Sequence, residues 1–132
     1  MKSNPKNEVL TLSFHESALL KAIETSEMSS VVFIRDYIQL VFENDKETVI
    51  LTAFTLPTVL IKNELFNKQV VGYCDALCSL INQAVKKALV EEGIAISLLF
   101  ENEELVKISL REEDYKGTEA AMFSSVDGIS VW

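Results

Sequence analysis

Two eight-residue stretches constrain this chain more than any other feature. "IQLVFEND" runs over 38–45 and "ISLLFENE" over 96–103, and five of the eight positions are identical. In both, Ile, Leu and Phe alternate with other residues, which is the two-residue period of a half-buried strand. In both, the strand ends in Phe-Glu-Asn, a polar exit that suits a turn. The offset between them is 58. Held without a gap over 14–45 against 72–103, it adds Ala18/Ala76, Leu19/Leu77, Ile23/Ile81 and Val32/Val90, nine identities in 32 positions. Chance gives about two. Ile50 and Ile108 also coincide beyond that window. The pattern predicts an internal duplication, too short a series for a solenoid.

The repeated unit reads as helix-strand-strand-strand. "SFHE" has the form of a capping box, Ser13 with Glu16, opening a helix over 14–27. "YCDALCSLINQAVKKA" carries Tyr73, Leu77, Leu80, Ile81 and Ala84 on one helical stripe. Strands are predicted over 8–12, through "VVFIRDYIQLVF", over "TVILTAFTL" and near 58–61, with a loop around "KNE". In the second half they are predicted over "KALVEEG", "IAISLLF" and "ELVKISL". Two more frame a hairpin at Asp127-Gly128, an Asp-Gly pair suited to a type I′ turn. The expected fold is α+β: internally duplicated helix-strand-strand-strand units, antiparallel sheet or sheets with two helices, related by a pseudo-twofold. With 132 residues it forms one domain, 1–132, of two similar halves (about 8–62 and 66–132). Two meanders around a common core, or one continuous sheet with both helices on a face, satisfy the pattern equally.

Composition excludes several function classes. Twenty acids against twelve bases give a net charge of −8, the wrong sign for a phosphate-backbone binder. No apolar run is long enough for a transmembrane helix, and "MKSNPKNEVL" lacks the apolar core of a signal peptide. A cytoplasmic protein is expected. Cys74 and Cys78 stand one helical turn apart, a poor geometry for a disulfide, and are expected as buried free thiols. The single histidine, His15, leaves a zinc site short of ligands and a Cys-His dyad without support. The four glycines are isolated, so no phosphate loop exists. Glu43, Asp45, Glu101, Glu103 and Glu104 lie in the two equivalent turns but lack calcium-loop spacing. No catalytic residue, metal or cofactor is expected.

The remaining polar features are the two arginines. Arg35-Asp36-Tyr37, and Arg111 with Asp114-Tyr115, each join a guanidinium, an acid and a phenol. Such residues anchor protein interfaces, or else form an ion pair beside a half-buried ring. The two groups are not copies under the offset of 58. Trp132, the last residue, either staples the final strand or meets a partner.

The segments "RDYIQLVFEND", "GYCDALCSLINQ", "LREEDYKGTEAAMF" and the terminal "ISVW" resemble those of small uncharacterised bacterial proteins. Some proteins of that kind resemble immunity proteins of toxin systems. The resemblance spans most of 14–132, departs at Gly117-Thr118 where Gly-Pro is expected, and supplies no catalytic residue. It implies a non-enzymatic cytoplasmic protein that binds and neutralises a cognate toxin. An acidic chain suits a basic protein partner. No nucleic-acid or membrane partner is expected, and a homodimer is compatible with the pattern. The alternative is a small-ligand binding or sensing domain with a pocket between the halves.

Overall fold

A computed structural model describes residues 20–132. Ten strands follow in order: β1 (Glu27–Ile34), β2 (Tyr37–Glu43), β3 (Thr48–Ala53), β4 (Thr58–Ile61), β5 (Glu64–Phe66), β6 (Val85–Glu91), β7 (Ala95–Phe100), β8 (Leu105–Ser109), β9 (Ala121–Ser125) and β10 (Gly128–Val131). One α-helix, α1 (Tyr73–Cys78), and the 3-10 turns Lys21–Ile23 and Glu112–Asp114 complete the described residues.

The strands form two antiparallel five-stranded sheets. Sheet one has the order β1-β2-β3-β9-β10, and sheet two β5-β4-β8-β7-β6. Each half therefore contributes a three-stranded meander to one sheet and a hairpin to the other. The inner faces share a single core. Ile38, Leu40 and Phe42 of β2 and Ile96, Leu98 and Phe100 of β7 are all buried, as their alternation requires.

This overturns the α+β expectation. The chain is mostly β, and the described residues hold one short α-helix. Six residues make a helix about 9 Å long, too short to cover a sheet. The second sheet covers the first instead. The capping box, His15, the strand expected over 8–12 and most of the first helix lie outside the described residues. The described end of that helix stops early. Thr25 turns left-handed at φ +72° and β1 begins two residues later.

The strand order repeats in the two halves, but not at a single offset. Ladder partners fix the true equivalences. Leu40 pairs with Val31 and Leu51, and Leu98 with Ala88 and Val106. The offset is thus 57 through β1 and β6, 58 through β2 and β7, and 55 through β3 and β8. Buried Leu20 and Ile23 answer to buried Leu77 and Leu80, not to Cys78 and Ile81. Likewise Ile50 answers to Leu105, not Ile108. The β1–β2 turn is Arg35-Asp36, whereas the β6–β7 turn has three residues, Glu92-Gly93-Ile94. A β-bulge falls at Ser29 in one half and at the equivalent Lys86 in the other.

At the centre the halves cross. Thr25 N–H donates to the Val85 carbonyl at 2.8 Å, and its counterpart Asn82 donates to Met28 at 2.8 Å. Met28 donates to Gln83 at 3.1 Å, and its counterpart Val85 to Ser26 at 2.9 Å. The bridge Glu27–Ala84 joins two equivalent residues, so the pseudo-twofold axis passes through it.

The two exchanged hairpins turn differently. Lys62 and Asn63, both at positive φ (+51° and +68°), link β4 to β5 in the manner of a type I′ turn. The other turn is centred on Val126-Asp127, neither at positive φ, and not on Asp127-Gly128. Gly128 opens β10 at φ +148°, which favours glycine there.

Candidate functional site

The residues singled out by sequence divide between structure and surface. Arg35 and Asp36 form the exposed turn between β1 and β2. Tyr37 is half-buried, its ring 5.6 Å from that of Phe54 at 57°. Arg111 is exposed and leads into the Glu112–Asp114 turn. Its N–H donates to Ser109 Oγ at 3.2 Å, and that hydroxyl donates to Asp114 Oδ2 at 2.6 Å. Tyr115 packs against the core. Neither arginine makes an ion pair among the described residues, so the strand-edge pairing does not form. Trp132 is a staple: it exchanges backbone hydrogen bonds with Ala120 and Ala121 while its side chain packs on the core.

The structure does not bring the two groups into one site. Asp36 and Phe54 line a hollow with residues 116–119, the loop that follows Tyr115. Arg35 borders a different cleft of about 360 Å³. Its apolar lining comes from Phe33, Ile34, Ile38, Leu56 and Val70, and its polar lining from Arg35, Lys68, Tyr73, Cys74 and Asp75. Tyr73 is buried and its hydroxyl donates to the Pro57 carbonyl at 2.5 Å. Burial, and then the neighbouring Cys74, push that phenol well above its ordinary value. Both cysteines are exposed free thiols, contrary to the buried pair expected. Six helical residues leave one buried stripe, Tyr73, Ala76 and Leu77, and Cys74 and Cys78 fall off it.

The second feature is the outer face of sheet one. With 38, 40 and 42 turned inward, β2 shows Tyr37, Gln39 and Val41 outward. Their ladder partners are Ile34, Val32 and Ser30 on β1, and Thr52 and Ile50 on β3. Met122 and Ser124 of β9 continue the rows, with Val131 and Ile129 of β10 beyond them. None of these residues is charged. Three of the counterparts on sheet two carry charge. Ser30 answers to Lys87, Ile34 to Glu91 and Thr52 to Lys107. Val32, Ile34, Ile129 and Val131 are exposed. Carboxylates rim one end of this face. Glu27 and Glu43 are paired across β1 and β2, and with Asp45, Glu47 and Asp127 they line a hollow beside them.

Sequence reasoning missed both cleft and face. Alternation reveals which residues point outward, but not which strands are neighbours. The lack of charge becomes a surface property only once the register is known. Among the described residues no group of three or more His, Cys, Asp or Glu could hold a metal ion. No helix among them is long and apolar enough to cross a membrane. No protein family, curated protein or solved structure matches the chain.

Proposed function

We propose that the chain is a non-enzymatic protein-binding module that docks its partner on the outer face of sheet one. One observation carries the reading. Lys87 and Glu91 of sheet two are replaced on sheet one by the uncharged Ser30 and Ile34, within the same scaffold, while Thr52, the counterpart of Lys107, is buried beneath Gln39. Charges on an open sheet face keep it solvated and single, and their removal marks a face that is covered. The partner has an apolar patch with a basic rim, because carboxylates border this face at the Glu27–Glu43 end. In its sharper form the partner is a toxin and the module its cytoplasmic immunity protein. The resemblance supports the toxin, and two exposed free thiols suit a reducing compartment.

The test compares affinity capture from the source cells by wild type, Ile50→Lys and Leu105→Lys. Ile50 lies mid-face on sheet one and Leu105 at the equivalent position on sheet two. A partner with a basic surface should be lost with Ile50→Lys, kept with Leu105→Lys, and held less tightly as salt rises. Equal capture by both variants refutes the face. Recovery of nothing but the chain itself refutes a heterologous partner in favour of a homodimer.

A further inference from the structure

The cleft beside the Arg35 turn adjoins that face through Ile34 but has its own chemistry. Its walls are apolar, and its volume of about 360 Å³ falls within the range of small-ligand sites. Its charged lining is Arg35, Lys68 and Asp75, a net positive charge in a chain of net charge −8. Neither the Arg35 nor the Lys68 side chain has a hydrogen bond or ion pair among the described residues. The pseudo-twofold sharpens the point. The equivalent turn is Glu92-Gly93-Ile94, so the other half has no arginine in this place. The cleft is lined by both halves, and its arginine comes from the first alone.

We infer that this cleft binds an amphipathic carboxylate, its apolar chain against Phe33, Val70 and Leu56 and its carboxylate on Arg35 and Lys68. A guanidinium presents a planar fork to a carboxylate, and the apolar walls offer a surface for the alkyl chain. A free alkyl carboxylate and the carboxyl end of an apolar peptide share this chemistry.

The two cysteines give a readout in the intact protein. Cys74 lines the cleft and Cys78 does not, though both are exposed. Alkylation by neutral iodoacetamide, followed by mass spectrometry at each thiol, reports occupancy. Octanoate should slow Cys74 several-fold and leave Cys78 unchanged, and octanamide should do neither. Arg35→Gln and Lys68→Gln should each raise the half-protecting concentration about two- to fivefold, the worth of a solvent-exposed charged contact. Lys107→Gln, on sheet two, should not. A peptide ending in leucine, with a free or amidated terminus, forms the second arm. Protection by the free peptide alone identifies a chain end as the source, and by octanoate alone a small molecule. The inference is overturned if neither protects, if octanamide or the amidated peptide protects equally, or if Cys78 is slowed alongside Cys74. Because Ile50 lies outside the cleft, Ile50→Lys should retain octanoate protection, so failure here leaves the docking face untouched, and the reverse.

Discussion

Thr25 and Asn82 occupy the same place in the two halves, at φ +72° and +77°. Asparagine tolerates the left-handed region, whereas a β-branched residue is strained there. Thr25 is exposed, and its part in the crossing is made by its backbone N–H. Thr25→Asn should therefore stabilise the protein by about 0.5–1 kcal/mol, seen as a higher urea midpoint with unchanged slope. Tyr73 makes the opposite case. Its hydroxyl satisfies the Pro57 carbonyl in a buried setting, and Tyr73→Phe should cost about 1–3 kcal/mol. Its acidity adds a pH signature. The folded phenol ionises above the ordinary 10.0, because burial disfavours the phenolate. Its contribution is complete below that value and is lost as pH rises past it. Above about pH 10 the wild type should lose stability more steeply than Tyr73→Phe, read from urea midpoints. Tyr73 was legible as a core residue from its helical stripe. Thr25 was not, since no residue type announces a left-handed threonine.

At the scale of elements, Glu24 ties the end of the first 3-10 turn to an edge strand. Its Oε2 accepts the Ala88 N–H at 2.8 Å and an ammonium proton of Lys21 at 3.2 Å. Its counterpart, Ile81, can do neither. Glu24→Ala should cost about 1–2 kcal/mol by urea denaturation, and Glu24→Gln, which still accepts, clearly less. The meanders themselves were readable, because Ile38, Leu40 and Phe42 and their copies keep the two-residue period. The Asn of each "FEN" indeed turns the chain. Asn44 Oδ1 accepts from Lys46 and Glu47, and Asn102 Oδ1 from Glu104. The second helix is shorter than its stripe predicts for a physical reason. Leu77 with Leu80 satisfies a three-residue spacing over a single turn. One turn of apolar period looks the same whether or not three more follow. The offset misled similarly, since one residue added to a turn leaves the apolar pattern on either side intact.

For the whole molecule, the exchange of hairpins decides what can fold. Leu51 pairs with Phe123 and Val59 with Val106, so each sheet needs strands from both halves. Fragments 1–69 and 70–132 should each lack stable structure alone, and an equimolar mixture should recover the β-sheet circular-dichroism signal. A folded single fragment would mean that the meanders can be closed without their exchanged hairpins. The sequence held both hairpins but not their destinations, because pairing between distant strands leaves no local mark.

The same exchange imposes an order on biosynthesis. A chain emerging from the ribosome completes β1, β2 and β3 before β4 to β8, yet β9, the second partner of β3, follows all of these. Until residues 121–131 appear, the β3 edge stands open beside Leu51 and Ala53, residues destined for the core. Folding that waits on so distant a contact is slow and exposes apolar edges meanwhile. Truncation before β9 should thus leave an aggregating chain rather than a smaller folded one.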